Sequence, residues 1–453
     1  MTHKVLIVGG GISGLSAAYY LSKGGIRARL LEKSPQPGGV IRTSIQHGCL
    51  LEGGPDSFIA AKPWAMDLIR ELGMADQVIG SNDHLRVTYI VKKGRLVPLP
   101  DGLMMMVPTK ILPLVGSSLL SWGTKIRMGL EFLRRPAGPQ PDRSVYDFLL
   151  DHYGRESIDY LAEPLLAGVY GGDPREMSVN SVLARFVEIE AKYGSLTRGV
   201  LAAPRPKGSG SLFRTLKGGL QQLVDALQPS AEIQQAGADA IERNGSGFRV
   251  RVAGDWMEAE HVIVATPAVE ATRLLRPTNP ELSDLLSTIP YTSSITLSLG
   301  YRKDTFDHPL NGFGFLVPKL ERKYMAACTW VGNKFSYRVP EDMVVLRCFL
   351  GGNALSLGDD ALVEAARGEL ESIMGLRTAP VFSSIARWPN SMAQYSVGHE
   401  QRMARIDCIL ATIPGLHLAG NAYRGIGVPD CIRMGKEAAA GVTSSSIPEL
   451  RPA

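Results

Sequence analysis

A glycine loop near the start of the chain has the residue types and spacing of a phosphate-binding site. The apolar run Lys4–Val8 leads into Gly9, Gly11 and Gly14, in the pattern Gly-x-Gly-x-x-Gly. The first glycine permits a tight turn, the second lets backbone N–H groups approach a pyrophosphate, and the third lets a helix pack on the strand. The N-terminus of that helix then stabilises the phosphate charge. Ordinary glycine turns share this pattern, so the residues that follow Gly14 decide between a simple turn and a phosphate-binding loop.

An acidic residue follows the loop at the distance expected of a ribose-binding carboxylate. The apolar run Arg27–Leu31 predicts a second strand, and Glu32 ends it eighteen residues after Gly14. In dinucleotide-binding folds a carboxylate at about this distance bonds the ribose hydroxyls. These residues predict a dinucleotide cofactor and leave both NAD and FAD open.

The residues after Glu32 favour FAD over NAD. Gly38, Gly39 and Arg42 complete the pattern Glu-x5-Gly-Gly-x-x-Arg. This continuation resembles the extended FAD fingerprint of the amine oxidase and porphyrinogen oxidase flavoproteins, in which the glycine pair lies near the flavin end of the pyrophosphate. A simple surface turn is the competing interpretation.

A second glycine-rich turn lies near the end of the chain. The run Gly415–Asn421 predicts a strand entering a turn, and Gly425–Ile432 leads into a small-residue helix that reaches Val442. Pro429 and Asp430 suit the first turn of a helix. The N-terminus of such a helix can place its positive dipole against the pyrimidine carbonyl of a reduced, anionic flavin. A purely structural terminal helix is the competing interpretation.

Together with these motifs, segments along nearly the whole chain resemble the FAD-dependent protoporphyrinogen and coproporphyrinogen oxidases of haem biosynthesis, which belong to the amine oxidase-type flavoproteins. The segments that carry the resemblance are 52–58, 163–173, 312–318, 387–388 with 392–399, and 420–432. Segments 107–110 and 394–399 are most similar to the branch typified by Gram-positive bacteria, which oxidises coproporphyrinogen III.

The resemblance implies the oxidation of a porphyrinogen, a macrocycle of four pyrroles joined by sp³ carbons. Its conversion to a porphyrin removes six electrons as three hydrides, with FAD as acceptor, dioxygen as the final oxidant and hydrogen peroxide as product. The substrate is coproporphyrinogen III, protoporphyrinogen IX or both. Because the cofactor performs the difficult step, we expect the protein to supply position and electrostatics, and we assign no catalytic side chain.

The resemblance also implies two sets of contact residues. Those expected to contact FAD are Gly9, Gly11, Ile12, Ser13, Gly14, Glu32, Lys33, Gly38, Gly39, Arg42, Gly54, Pro55, Asp56, Ser57, Ala238, Trp388, Gly420, Asn421, Gly427, Val428 and Pro429. Those expected to contact the substrate are Lys62, Arg86, Ala167, Gly168, Leu316 and Phe349. Lys62 would pair with a propionate, against the alternative of a solvated surface lysine. Where the plant enzymes carry a propionate-binding arginine this chain has Thr88, which leaves Arg86 or Lys62 as substitutes.

The residues expected to contact FAD and substrate are spread along the whole chain, so we expect interleaved domains to bring them together. The expected fold class is α/β, α+β overall, with a Rossmann-like FAD-binding domain, an antiparallel β-sheet substrate domain and an inserted helical domain. The expected ranges are 1–60, 214–271 and 382–453 for the first, 61–90, 201–213 and 272–381 for the second, and 91–200 for the third. The Pro/Gly/Ser-rich stretch 202–211 predicts a crossover loop between domains.

Composition excludes several other classes of protein. The chain has 453 residues, of which 45% are hydrophobic, enough for two or three domains with sizeable cores. Its five cysteines have no metal-binding spacing, so we expect reduced thiols and no metal site. A net charge of +5 without long basic runs argues against nucleic acid as a partner.

Location and partners are less constrained than the cofactor. The apolar region Leu103–Gly123 is interrupted by Pro108, Lys110 and Pro113, so it does not predict a membrane-spanning helix. It predicts a cavity wall, a peripheral membrane contact or a buried helix pair. No targeting peptide is expected before the first strand, so we expect a cytoplasmic protein, soluble or peripheral to the membrane. Hand-over of product to a ferrochelatase is left open, as is a monomeric or homodimeric state.

Three other functions share the same cofactor domain. An amine or polyamine oxidase would carry a lysine near flavin N5 and an aromatic cage, whereas aromatic residues make up 7% of this chain. A carotenoid-type desaturase would have a long apolar channel, and a noncatalytic flavin-binding protein would have no turnover. Aerobic formation of a fluorescent porphyrin separates these alternatives.

Overall fold

The computed structural model describes residues 2–136, 138–203, 210–306 and 308–445. Most of the predicted crossover stretch, residues 204–209, lies outside the described residues. The same holds for residues 446–453 at the end of the predicted FAD-binding range. The expected α/β class is confirmed, because two large sheets and a helical insertion make up the fold.

The first sheet has a parallel centre and an antiparallel edge. Its strands in spatial order are β12 (Ala231–Gln235), β2 (Ala28–Glu32), β1 (Thr2–Val8), β15 (Asp255–Val264), β14 (Gly247–Val252) and β13 (Ala238–Asn244), with β21 (Leu416–Leu418) also paired to β15. Strand β1 runs parallel to both β2 and β15, and Val8 aligns with Leu31 and Val264. Parallel strands buried on both faces need continuous apolar sequences, as β1 has. Their carboxyl ends therefore meet at one edge of the sheet.

Helices pack against this sheet and join the two ends of the chain. They are α1 (Ile12–Lys23), α2 (Pro63–Glu71), α11 (Gln221–Leu227), α12 (Ala268–Leu275), α13 (Pro280–Ser287), α16 (His399–Ala411) and α17 (Val428–Ser445). Helices α1 and α17 lie side by side, and a Cβ atom at Gly435 would lie only 2.3 Å from the Ser13 carbonyl oxygen. The absence of a side chain at Gly435 thus allows the last helix to pack on the first.

The second sheet is antiparallel apart from one strand pair. Its strands in spatial order are β20 (Phe382–Ala393), β16 (Tyr291–Arg302), β19 (Met343–Leu350), β18 (Met325–Trp330), β17 (Gly314–Leu316), β7 (Thr88–Lys92) and β8 (Arg95–Pro98). Only β7 and β17 pair in parallel, with Thr88 opposite Gly314. Helix α15 (Asp359–Met374) packs on this sheet through Leu362, Ala366 and Leu370. The short helix α14 (Val331–Lys334) follows β18.

Two strands of this sheet fall outside the range predicted for it. Strand β20 was expected in the FAD-binding range 382–453, but it pairs with β16 from Tyr291↔Ala393 to Gly300↔Phe382. Strand β8 was expected in the helical range, but it forms a hairpin with β7. The sheet to which each strand belongs depends on long-range or hairpin pairing. An apolar run in the sequence predicts a strand but does not identify the sheet that the strand joins.

The insertion is mainly helical and has its own apolar core. Its helices are α3 (Ile111–Gly116), α4 (Trp122–Leu130), α5 (Val145–Tyr153), α6 (Arg155–Ser157), α7 (Glu163–Tyr170), α8 (Val179–Val182), α9 (Ala184–Tyr193) and α10 (Leu196–Ala202). A π-helical turn, Ile158–Ala162, precedes α7. At its centre the His152 ring lies between Glu131 and Glu190, with Nδ1 and Nε2 2.8 Å and 3.0 Å from their carboxylates. This buried network ties α5 to α9 and to the start of α10, where the Leu196 N–H donates to Glu131.

Short strand pairs connect the larger units. They are β3 (Thr43–Gln46) with β4 (Cys49–Glu52), β11 (Phe213–Leu216) with β5 (Phe58–Ile59) and β6 (Val78–Gly80), and β9 (Leu103–Met104) with β10 (Val107–Pro108). Within the ranges that the structure describes, no helix has both the length and the apolar character needed to cross a bilayer.

Candidate active site

The glycine loop forms a tight turn at the carboxyl end of β1. Gly9 has φ +107°, and a Cβ atom there would lie 2.7 Å from the Ala265 carbonyl oxygen. A Cβ atom at Gly14 would lie 2.0 Å from the Gly9 carbonyl oxygen. At Gly11, in contrast, a Cβ atom would meet no atom within 4 Å. Gly9 and Gly14 therefore serve the packing of the loop, and Gly11 borders open space at the start of α1.

Glu32 is held by backbone N–H groups at the end of β2. Its Oε2 accepts a hydrogen bond from the Gly10 N–H at 2.7 Å, and its Oε1 accepts one from the Ser34 N–H at 2.7 Å. These bonds link the glycine loop to the segment after β2 and fix the direction of the carboxylate. Lys33, the next predicted contact, forms an exposed ion pair with Glu270 at 3.4 Å.

The Gly38–Gly39 turn is attached directly to the glycine loop. The Gly38 N–H donates to the Gly10 carbonyl at 2.7 Å. Arg42 donates to the Pro37 carbonyl at 2.9 Å, so its side chain stabilises this turn from within. The two glycine motifs, separated in sequence, thus form one continuous backbone surface.

Segment 53–57 is held by buried charges that the sequence motifs did not identify. Asp56 lies 2.8 Å from Lys334 Nζ and 3.3 Å from Arg347 Nη1, and Arg347 also donates to the Gly54 carbonyl. Burial alone would raise the pKa of Asp56, but the charges of Lys334 and Arg347 hold it well below its usual range. Arg347 is the one charged residue in the apolar run 343–350. This isolated charge was the feature of the sequence that could have marked Arg347 as a residue with a buried partner.

Trp388 connects β20 to the same segment. Its indole Nε1–H donates to the Gly53 carbonyl at 2.7 Å. A Cβ atom at Gly54 would lie 1.8 Å from the Val40 carbonyl oxygen, so this segment also packs tightly against the Gly38–Gly39 turn. Contacts from the second sheet, from α14 and from the Gly38–Gly39 turn therefore determine the position of residues 53–57.

The N-terminus of α17 meets Lys62 across the cavity wall. Asp430, in the first turn of α17, is buried and accepts hydrogen bonds from Lys62 Nζ at 2.7 Å and 2.6 Å. The preceding turn is held by Tyr395, whose hydroxyl donates to the Asn421 carbonyl and accepts from the Gly425 N–H. Lys62, expected at a substrate propionate, thus already has a carboxylate partner on the chain.

One cavity of about 3110 Å³ joins these parts of the site. Every predicted contact residue except Gly14 lines it, including all six expected to contact the substrate. Typical small-molecule sites measure roughly 300–1,000 Å³. The cavity therefore has room for a dinucleotide and a second ligand.

The residues along this cavity fit a bound FAD. Gly11 leaves the space at the helix N-terminus free, where a pyrophosphate would bind. Thr266 Oγ1 and the Tyr423 hydroxyl belong to cavity-lining residues, are buried, and have no hydrogen-bond partner among the described residues. Buried polar groups without partners are rare. A polar ligand in the cavity would account for them.

The other half of the cavity is an apolar slot. Helix α7 presents Ala167 and Gly168 to the cavity opposite Leu316 of β17. A Cβ atom at Gly168 would lie 3.7 Å from Leu316 Cδ2, an ordinary van der Waals contact, so a side chain larger than that of alanine would press on Leu316 or project into the cavity. Phe349 of β19 also lines the cavity, with the Arg347 guanidinium 4.6 Å from its ring centre. The slot is suited to a flat, largely apolar ligand.

Comparison with known proteins places this site in a family. The profile of the flavin containing amine oxidoreductases matches residues 12–443, which is nearly the whole chain. The chain belongs to this family. Its cofactor is FAD, as the glycine motifs predicted, and it is an FAD-dependent oxidoreductase.

Several members of this family are similar to the chain from end to end. The coproporphyrinogen III oxidase of Bacillus subtilis is 31% identical over 96% of both chains. That of Staphylococcus aureus is 31% identical over 98% of this chain and 99% of its own. The protoporphyrinogen oxidase of Bos taurus is 30% identical over 98% of both.

Solved structures show the same fold. A crystal structure assigned to a protoporphyrinogen oxidase of Exiguobacterium sp. 255-15 superposes with a TM-score of 0.88 at 30% identity, covering 98% of this chain and 100% of that one. Putrescine oxidase bound to putrescine superposes with a TM-score of 0.69 at 18% identity, covering 98% and 99%. The second likeness concerns the fold alone.

Proposed function

We propose that this flavoprotein is a porphyrinogen oxidase of haem biosynthesis. It oxidises coproporphyrinogen III, protoporphyrinogen IX or both to the porphyrin, with dioxygen as acceptor and hydrogen peroxide as product. The observation that carries the proposal is the match, over nearly full length, to relatives named for these two reactions.

The cavity supports this function because its two halves suit the two reactants. The glycine loop, Glu32 and the N-terminus of α17 would hold the cofactor, and bound FAD supplies the hydride acceptor that dioxygen reoxidises. The chain's own residues position the reactants. Arg347 and Lys334 hold segment 53–57 through Asp56, and the absence of a side chain at Gly168 keeps this part of the cavity wall clear for a flat macrocycle.

A peripheral membrane contact is part of this proposal. Helix α4 exposes Trp122, Ile126 and Leu130 on one face, with 65%, 61% and 60% of each residue accessible, and Leu112 of α3 is 83% accessible. An apolar helix face with an aromatic residue and a nearby cation such as Lys125 is typical of helices that lie at a membrane surface. We propose a cytoplasmic enzyme that contacts the bilayer through this face and hands its product to a ferrochelatase.

Aerobic turnover tests the proposed reaction. The purified holoenzyme, with its flavin spectrum recorded, is incubated with each porphyrinogen, and porphyrin fluorescence and hydrogen peroxide are followed together. We expect both signals to rise faster than in the same mixture without enzyme. Failure with both substrates in a preparation with a normal flavin spectrum would contradict the proposed function.

Vesicle binding tests the proposed membrane contact. Flotation with vesicles that contain anionic lipid should retain the wild-type protein and lose the Ile126→Glu variant. The matched control is Ile45→Glu, which changes another exposed isoleucine, 74% accessible on β3. Equal binding of all three proteins would exclude the α4 face as the contact.

A further inference from the structure

Arg86 and Lys323 are two cations that line the cavity. Among the described residues, their side chains form no hydrogen bond and no ion pair. Most other cations along the cavity lie within 4 Å of a carboxylate, such as Lys319 beside Asp173 and Arg322 beside Glu163. Buried charges need a partner, whereas exposed cations are solvated by water and remain free to bind an anion. Arg86 and Lys323 are therefore available to an anionic ligand.

The neighbouring acids do not neutralise these two cations. Asp101, which also lines the cavity, forms an ion pair with Lys110 at 2.5 Å, and Arg86 acts on it through space without forming an ion pair. Burial raises the pKa of Glu369 and the charge of Lys323 opposes this rise through space, but the two side chains form no ion pair. Glu369 instead accepts hydrogen bonds from the backbone N–H groups of residues 323–325. Both residues are exposed, and both line the cavity.

The fold places these cations at opposite ends of the substrate slot. Arg86 precedes β7 at the level where β17 begins, because the Phe313 N–H donates to the Val87 carbonyl. Lys323 lies in the loop after β17, beyond the point where the Val317 N–H donates to the Ala326 carbonyl. At about 3.3 Å per residue, the strand from Phe313 to Val317 alone spans roughly 13 Å.

The surface between the two cations is apolar. Leu316, Ala327 and Phe349 line the cavity along this stretch of the sheet, and Gly168 faces Leu316 from α7. An apolar floor with a cation at each end suits a ligand with an apolar centre and carboxylates on opposite edges.

We infer that Arg86 and Lys323 are two carboxylate anchors that select the substrate by the distribution of its propionates. The inference rests on the proposed function. Coproporphyrinogen III carries one propionate on each pyrrole, so every orientation presents carboxylates on both edges. Protoporphyrinogen IX carries its two propionates on neighbouring pyrroles, so it can occupy only one anchor at a time. The site therefore favours coproporphyrinogen III.

This assignment gives Lys62 a different role from the one expected from sequence. Lys62 is bound to both oxygens of Asp430 and would have to break this buried contact to reach a propionate. Arg86, the other basic residue expected at a propionate, keeps that assignment. Lys323 was not identified from sequence because it lies in a loop without a motif.

Substrate discrimination by the double variant Arg86→Gln/Lys323→Gln tests the inference. A hydrogen bond to a charged group corresponds to roughly tenfold in kcat/KM. We expect a loss of about a hundredfold with coproporphyrinogen III, from two lost anchors, and about tenfold with protoporphyrinogen IX, from one. Lys319→Gln, in the same loop but paired with Asp173, is the matched control and should not alter the ratio of the two substrates.

A binding measurement separates the outcomes. Fluorescence titration of each holoenzyme variant with coproporphyrin III and protoporphyrin IX reports binding without turnover and should show the same difference. Equal losses with both porphyrins, or a control that shifts the ratio as strongly, would overturn the two-anchor assignment while leaving the oxidase function intact. A wild-type enzyme that oxidises neither porphyrinogen would contradict the proposed function itself.

Discussion

The two halves of the cavity are built by different means. In the cofactor half, backbone groups define the surface, as where the Gly10 N–H binds Glu32 and the Gly38 N–H binds the Gly10 carbonyl. In the substrate half, side chains from different elements define it, as where Gly168 of α7 faces Leu316 of β17. A backbone surface tolerates few substitutions because steric limits are strict, whereas a side-chain surface can be changed without loss of the fold.

This difference explains how one fold serves several reactions. A dinucleotide presents the same pyrophosphate to every member of the family, so a backbone cradle suits them all. The substrate differs, and function resides in side chains mounted on a common scaffold. The following predictions test whether the two halves are separable, beginning with the largest effect.

Two glycines of the same loop should respond in opposite ways. Gly14→Ala places a Cβ atom 2.0 Å from the Gly9 carbonyl oxygen and should lower the free energy of unfolding by about 3 kcal/mol. Gly11→Ala places it in open space, so apoprotein stability should change by less than about 1 kcal/mol while FAD affinity falls. Chemical denaturation of the apoproteins and FAD titration measure both. Normal FAD binding by Gly11→Ala would contradict the position assigned to the pyrophosphate.

Filling the slot should affect the substrate half alone. Gly168→Leu adds a side chain opposite Leu316 and should reduce kcat/KM for either porphyrinogen about a hundredfold, which corresponds to about 2.7 kcal/mol, with an unchanged flavin spectrum. Gly168→Ala is the matched control, because its Cβ atom fits at 3.7 Å, and it should lose much less activity. Loss of flavin from Gly168→Leu would show that the halves are coupled.

The Lys62–Asp430 pair should behave as part of the cofactor half. Lys62→Met leaves Asp430 buried without its partner and should lower the free energy of unfolding by about 2 kcal/mol, less than a fully buried pair because Lys62 is partly exposed. Activity with both porphyrinogens should fall by the same factor. The control Lys23→Met removes an exposed pair with Glu71 and should cost much less stability than Lys62→Met. A selective loss of coproporphyrinogen oxidation would instead support the original expectation that Lys62 binds a substrate propionate.

Acidification should weaken the cofactor half. Burial lowers the pKa of His399 to about 4 from its ordinary 6.5, although its Nε2–H donates to the Tyr423 carbonyl. Between these two pH values the unfolded chain binds a proton that the folded chain does not, so stability falls as the pH falls through this window. We expect a loss of about 1–2 kcal/mol between pH 7 and pH 5 from His399.

Urea unfolding at several pH values measures this effect. The loss should shrink in His399→Gln, which cannot take up the proton, and persist in His84→Gln, which changes an exposed histidine. Burial lowers the pKa of His417 to about 4 as well, so some pH dependence should remain in the first variant. An unchanged pH profile in His399→Gln would remove His399 as the cause.

The cofactor half was more accessible to sequence reasoning than the substrate half. Gly9, Gly11 and Glu32 act through local geometry within a single βαβ unit, so their spacing carried the prediction. Arg347 of β19 and Lys334 of α14 are nearly 300 residues from Asp56 along the chain and meet it only through tertiary folding. No short pattern encodes such a contact, although a lone arginine in an apolar strand indicated that it needed a partner.

The sequence by itself determined the dinucleotide cradle, the fold class and the family, because turn geometry and strand patterns depend on neighbouring residues. Only the tertiary structure decided that β20 joins the second sheet and that Lys62 binds Asp430. It also decided that Arg86 and Lys323 lie towards opposite ends of β17, with no side-chain ion pair to any residue that the structure describes. These facts depend on strand pairing and on the spatial balance of charges over long sequence separations. Register and charge pairing of this kind arise only when the chain is folded.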